Sequence, residues 1–337
     1  MISRIALSIS LALCISSIAS AGWTATIVNG SSTNPSFAFA VTASTVYGSL
    51  QSSTSTDPTS WTDGIALNWN QGRSITGQLF GSDGFDVVGG LSVNAGAQEP
   101  VLFRGSPENF IRLSSSKVTY GRARATWGGI QVGFGRSQGV DQAAVWRGTA
   151  KSFKSIHPRG YVSSEATTIL NLQIGGSAYT SSGAVACAWE GSNYRFKVVD
   201  SSPSEINASN ATSYGGFRGH LGGTEVAYLW SKGSNAATNV APPNTDRSWV
   251  TGMDQDKVSI TSTSANYPSQ AWVFDTFNSI TPWTDLHMVL DSTFPGTFYA
   301  SSAMAVWRDT TNNRIRVVGR GYSSTAGNVA ILWEYTP

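Results

Sequence analysis

Small and apolar residues recur along this chain in short runs that end on an aromatic ring. They read IALNW ending at Trp69, PVLF at Phe103, AAVW at Trp146, ACAW at Trp189, AYLW at Trp230, AWVF at Phe274 and AILW at Trp333. The spacings are 34, 43, 43, 41, 44 and 59 residues. A β-rich run precedes each of them and ends on Gly48, Gly89, Gly133, Gly175, Gly219, Ser259 or Gly319, at spacings of 41, 44, 42, 44, 40 and 60. Two independent markers with one period define seven units of about 45 residues.

Inside a unit the pattern is strand, tight turn, strand, loop, strand, turn, strand. In the clearest one, SSEATTI passes through Leu170-Asn171 into LQIGGSAY; TSSG then leads to AVACAW, and GSN to YRFKVV. Alternation broken by Gly, Asn and Ser marks strands and hairpins, and no helical period stands out after residue 21. Four strands per unit at this period predict an all-β chain, a seven-bladed β-propeller with four-stranded blades. Only four residues follow Trp333, so the last blade lacks its outermost strand. WTATIVN, residues 23–29, precedes the first unit and is expected to supply that strand, closing the ring.

The stretch QAAVWRGTAKSFKSIHPRGYVSSEA joins an A-x-x-W strand to GTA, an I-H-P segment and the next inner strand. With the Q-V-G strand that precedes it, the pattern resembles, in degenerate form, the bacterial extracellular repeat named for its H-A-F tripeptide. The resemblance spans essentially the whole chain after residue 21 and is weakest in the first unit and around residues 275–305. It implies a secreted propeller and assigns no reaction.

Composition adds an address. Residues 1–21 carry Arg4, an apolar stretch and Ala19-Ser20-Ala21, the pattern of a cleaved export signal, which leaves 22–337 as a single secreted propeller domain. Cys187 is the one cysteine after residue 21, so no internal disulfide is expected. The formal net charge of +2 argues against nucleic acid and anionic membranes as partners. No metal-ligand spacing and no cofactor fingerprint occurs, so neither is expected. A monomer without a membrane anchor is the expected state.

The most reactive short stretch is SIHPRGY, residues 155–161. His157 is echoed by His287 in TDLHM at the same place in a later unit, which favours a structural role for both. His220 is placed with the scaffold too. Asp83, Asp254 and Asp256 sit in short turns where Asp binds its own backbone; without the Gly and Glu of a calcium loop they are not expected to hold a cation. Asn29, Asn207 and Asn210 each stand in an N-x-S/T context.

Two apparent insertions carry the functional expectation, because loops on a rigid scaffold carry most chemistry. GSLQSSTSTDPTSWTDG, between strands two and three of blade 1, and MVLDSTFPGTFYASS, before blade 7, should meet on one face at the seam. They offer Asp57, Trp61, Asp63, Asp291, Phe294, Phe298 and Tyr299; other loops of that face offer Arg159, Tyr161, Tyr214, Arg247 and Trp249. Rings suit sugar faces and carboxylates suit hydroxyls or acid–base work. The expected function is therefore binding of an extracellular glycan or another surface component. The alternative is a polysaccharide-degrading enzyme: a hydrolase using Asp63 and Asp291, or a lyase using Arg159, Arg247, Tyr161 and Tyr214.

Overall fold

The computed structural model describes residues 22–29, 35–219, 223, 225–325 and 327–337. Residues 1–21, read above as an export signal, and His220 lie outside the described residues. Apart from one short helix and a single 3-10 turn, the regular elements are strands.

Strand β1 (Gly22–Ile27) opens the chain. The first four-strand set is β2 (Ser36–Val41), β3 (Thr45–Gln51), β4 (Thr56–Thr62) and β5 (Ile65–Asn68), followed by β6 (Ile75–Ser82), β7 (Asp86–Val93), β8 (Gln98–Arg104) and β9 (Phe110–Arg112). The third is β10 (Gly121–Trp127), β11 (Ile130–Ser137), β12 (Val140–Trp146) and β13 (Lys154–Ser155). Then come β14 (Ser163–Leu170), β15 (Gln173–Thr180), β16 (Gly183–Glu190) and the long β17 (Arg195–Ser209). β18 (Ser213–Arg218), β19 (Val226–Ser231) and β20 (Ala237–Asn239) follow, then β21 (Arg247–Asp254), β22 (Lys257–Thr263), β23 (Gln270–Asp275) and β24 (Trp283–Asp285). Helix α1 (Leu286–Thr293) precedes β25 (Ala300–Asp309), β26 (Arg314–Ser323) and β27 (Gly327–Thr336).

These strands form six hydrogen-bonded sheets, five of four strands and one of seven. In the seven-stranded sheet β17 serves twice: Arg195–Pro203 pairs with β16, and Ser204–Ser209 pairs with β18. Among the described residues there are thus seven antiparallel four-strand meanders, two of which share one continuous strand. The last is completed from the other end of the chain, β1 pairing with β27 from Gly22↔Thr336 to Ile27↔Ile331. Within each set, strands one and two, and strands three and four, turn at one end of the sheet. The crossovers to the next set leave from the other.

The aromatic markers fill the spaces between neighbouring sheets. Trp146, Trp189, Trp230, Trp333 and Phe103 are each 0 % exposed in strand three of their sets. In the first set that position belongs to Trp61 of β4, which pairs with Val46 of β3, and not to Trp69, which follows β5. Trp61 packs with Val28, Val46 and Ala38, and with Val318, Ala330 and Leu332 of the last set. A shared apolar cluster therefore joins the first and last meanders, and Arg316 Nη1 adds a 2.7 Å bond to the carbonyl of Thr42.

Assigning Trp61 to strand three removes the blade 1 insertion. β3 and β4 are joined by the short turn Ser52–Ser55, and the Gly48-to-Trp61 interval is as short as in the other units. The second insertion is real and holds α1, which periodicity had not signalled. Asp285 caps it by accepting from the amides of His287 and Met288, while Leu286, His287 and Leu290 are buried. Phe298 is 3 % exposed and meets Phe294 edge-on at 6.0 Å. This segment fills the seam beside β1 and β23.

Candidate functional site

Every first strand carries a β-bulge at the same place. The register slips between Ala38 and Ala40, Leu79 and Gly81, Ala123 and Ala125, and Ala166 and Thr168. It slips again between Ile206 and Ala208, Val250 and Gly252, and Ala303 and Ala305. A bulge inserts one unpaired residue and re-aims its side chain. In six sets a tight contact with strand two accompanies the slip. A Cβ on Gly48, Gly89, Gly133, Gly176, Gly216 or Gly319 would lie 1.7–2.3 Å from the carbonyl oxygen of residue 37, 78, 122, 165, 205 or 302 of the first strand. Glycine lets the two backbones approach that closely.

The seven bulge residues converge. Phe39, Phe80, Arg124, Thr167, Asn207, Thr251 and Met304, one from each set, line a single cavity of about 240 Å³. It opens into a wider mouth of about 630 Å³ at the end where strands one and two turn. The wall is amphipathic. Phe39 meets Phe80 edge-on at 5.4 Å, and Met304 completes the apolar side. On the polar side Thr167 donates to the carbonyl of Ile206 at 2.5 Å and Asn207 to that of Val250 at 3.1 Å, tying neighbouring sets together.

Two residues before each bulge is a second layer, half-buried in six sets, flanked mostly by buried small or aliphatic residues. It contains Phe37, Arg122, Glu165, Glu205 and Trp249. Arg124 Nε donates to Glu165 at 2.8 Å, and Arg122 Nε lies 3.9 Å from the same oxygen. Both guanidiniums stack on Phe80, at 5.2 and 5.9 Å, and Arg122 also on Phe134 at 5.2 Å. Glu205 accepts from Tyr179 Oη at 3.2 Å. Burial, reinforced by the nearby Glu165 charge, lifts the Glu205 carboxyl to about 7 even though the Tyr179 bond pulls it down. Burial likewise raises the Tyr179 phenol.

This carboxyl makes stability depend on pH in a defined direction. Its folded pKa lies above the ordinary carboxylate value, so the unfolded chain releases the proton first. Folding is helped below that ordinary value and progressively less as pH rises through 7. The unfolding free energy is expected to fall by about 2 kcal/mol from this group between pH 5 and pH 8, after discounting for partial solvent contact. Glu205→Gln should flatten that dependence in urea titrations at the two pH values. A variant that keeps the same pH slope would contradict the assignment.

The residues of SIHPRGY hold the scaffold. His157 Nε2 lies 3.1 Å from the carbonyl of Tyr161, so Nε2 carries the proton, and Nδ1 accepts from Ser164 Oγ at 2.7 Å. Ser164 Oγ in turn accepts from the amide of Ala143 in the preceding set. His287, Ser301 and Ala271 repeat the arrangement at 3.1 and 3.2 Å. Ser36, Ser204 and Ser248 take the same amide bond without a histidine. These serine–histidine pairs resemble catalytic dyads in distance only, because each hydroxyl is buried and already engaged between sheets.

The seam site is not assembled. Asp63 lies in the exposed β4–β5 turn, at the end where strands three and four turn, whereas Asp291 lies in α1 at the crossover end, bonded to the amide of Gly296 at 3.2 Å. The two carboxylates are thus at opposite ends of the sheets. Trp61 is 1 % exposed and Tyr214 is 2 % exposed, both core residues and neither a loop residue. Asp57 lies in β4 and accepts from Asn70. Tyr161 packs edge-on against Phe196 at 5.4 Å, Arg159 is exposed in the crossover, and Tyr299 is 56 % exposed beside Tyr322. Arg247 is held by Glu225 through bonds of 2.7 and 2.8 Å and stacks on Trp249 at 5.0 Å, so of the expected residues only Trp249 belongs to the second layer. Asn207 and Asn210 donate to the carbonyls of Val250 and Gln255 in the neighbouring set, which engages both as structural groups. Arg122, Arg124, Glu165 and Glu205 of the two layers, and Tyr179 bonded to Glu205, were missed. Their signal was present as charges at alternating positions in otherwise small-residue strands, RARA and SSEA.

No protein-family model matches the chain, and no curated protein does. Solved structures do. A puromycin hydrolase is similar with a TM-score of 0.60 at 10 % identity, over 92 % of this chain and 54 % of that one. An acylaminoacyl peptidase of Pyrococcus horikoshii gives 0.57 at 10 % identity, over 89 % and 51 %; a prolyl endopeptidase gives 0.54 at 10 %, over 90 % and 50 %. The chain spans about half the length of these proteins, and the likeness is to their β-propeller portions. The expectation of a glycan-binding or polysaccharide-degrading protein is overturned, since these neighbours are peptidases and the loops that suggested it share no rim.

Proposed function

We propose that the chain is a ring-closed seven-bladed propeller that binds an extended polypeptide segment in its central channel and holds it without cleaving it. The seven meanders are its blades, and the β1–β27 pairing together with the apolar cluster around Trp61 supports closure. The observation that carries the binding role is the ring of seven bulge residues, which gives the cavity an apolar arc and a polar arc. A peptide presents the same two surfaces, side chains and backbone amides, and pockets of a few hundred Å³ with few polar groups bind such segments. Both serine–histidine pairs are occupied by scaffold bonds, which supports binding over hydrolysis. We place the protein outside the cell, in line with its signal-like N-terminus and the extracellular repeat its units resemble.

Titration calorimetry with a pool of N-acetylated tetrapeptides tests this. Saturable binding is expected, weakened about tenfold or more by Met304→Trp, which fills the ring, with no new amines released on overnight incubation. A pool that fails to bind, or that is hydrolysed, overturns the proposal.

A further inference from the structure

Resting on the peptide-binding reading, the geometry points to Arg320 as the anchor for a carboxylate of the bound polypeptide. The two layers carry two arginines, Arg122 and Arg124, against two glutamates, Glu165 and Glu205, and Arg320 lies on the adjoining strand β26 opposite Ser302 of the second layer. Glu165 is engaged by Arg124 and Arg122. Arg320 differs from them. Unlike theirs, its guanidinium has no ion pair with a carboxylate among the described residues, and its Nε, like that of Arg122, is buried without a hydrogen-bond partner.

Two rings fix the guanidinium, Phe37 at 5.5 Å and Tyr322 at 5.7 Å. Phe37 stacks on Phe39 at 6.2 Å with the planes 3° apart, and Phe39 lines the ring cavity, so Arg320 is continuous with the site. Its partner across the β25–β26 ladder is Ser302, 3 % exposed, whose Oγ is also buried without a partner. A guanidinium gripped by two rings keeps its planar fork of donors, which matches a carboxylate in geometry and charge. An unpaired cation and an unsatisfied hydroxyl side by side cost free energy in the empty site and recover it when an anion arrives.

The carboxylate could be a chain terminus or an acidic side chain, and three peptide pools separate the sources. The first is N-acetylated tetrapeptides with free C-termini and no Asp or Glu; the second is the same pool amidated; the third is amidated with one Glu. Against the wild-type protein the amidated pool without Glu is expected to bind about tenfold more weakly than the free-acid pool. Arg320→Gln should erase that difference and Arg320→Lys should keep part of it. If the Glu pool binds as tightly as the free-acid pool, the anchor takes a side chain as readily as a terminus, still through Arg320. Equal binding of all three pools by the wild-type protein overturns the Arg320 assignment and leaves channel binding standing. Binding of neither overturns both. The wild-type comparison decides even where Arg320→Gln does not fold.

Discussion

Deleting residues 22–27 is expected to lower the unfolding free energy by at least about 4 kcal/mol. β1 contributes a complete ladder to β27, from Gly22↔Thr336 to Ile27↔Ile331. It also contributes Ala25, 6 % exposed in the core, and Trp23, which packs on Tyr335 at 5.7 Å. Its loss turns β27 into an open edge and uncovers the apolar face of α1, and among the described residues no disulfide holds the ends. Chemical denaturation followed by tryptophan fluorescence reads the effect. The truncated chain should unfold at clearly lower denaturant with a broader transition and oligomerise through the exposed edge. A truncation that leaves the midpoint unchanged would show that β1 is an appendage and not the strand that joins the ends.

Gly133→Val is the second large effect. A Cβ at position 133 would stand 2.0 Å from the carbonyl oxygen of Arg122 and 2.9 Å from Cα of Ala123, both backbone atoms that cannot swing aside. The first strand must then move away from the second, and the bulge that aims Arg124 into the channel is lost. Destabilisation of about 3 kcal/mol or more is expected, at the upper end of overpacking costs. Because the same shift displaces Arg124 and Arg122, peptide affinity should fall with stability. Gly129→Ala is the contrasting case, in a turn with nothing within 4 Å of the added Cβ. It should cost about 1 kcal/mol from its positive φ alone and leave binding intact. Equal effects of the two substitutions would refute the close-approach argument.

The repeat was legible because packing between sheets demands a large ring at one strand position in every unit, and Trp146, Trp189, Trp230 and Trp333 mark it without exception in their sets. The first unit misled because its third strand, TDPTSWT, is made of turn-forming residues with a proline inside. Pro58 is tolerated there since β5 begins to pair only at Thr59, so its missing amide breaks no ladder bond on that side. That misreading created an insertion loop, and with it the seam site built from Trp61, Asp63 and Asp291. Helix α1 was missed because eight residues are too few to show a period, although Asp285 two residues before His287 is a capping signal. The channel was hidden for another reason. Bulge positions are accompanied in six sets by a glycine on the next strand and hold five residue types across the seven units, so a search for what repeats passes over them. The histidines were read as scaffold from their recurrence, and their bonds to Ser164 and Ser301 agree.

Peptide binding in the channel without cleavage can be read out by placing a photo-crosslinking phenylalanine at position 304 of the ring and, separately, at exposed position 299 of the seam. After irradiation with the N-acetylated tetrapeptide pool, mass spectrometry should find intact peptide attached at 304, displaced by excess unlabelled pool, and none at 299. Attachment at 299 in place of 304, or recovery of cleaved peptide, would contradict it.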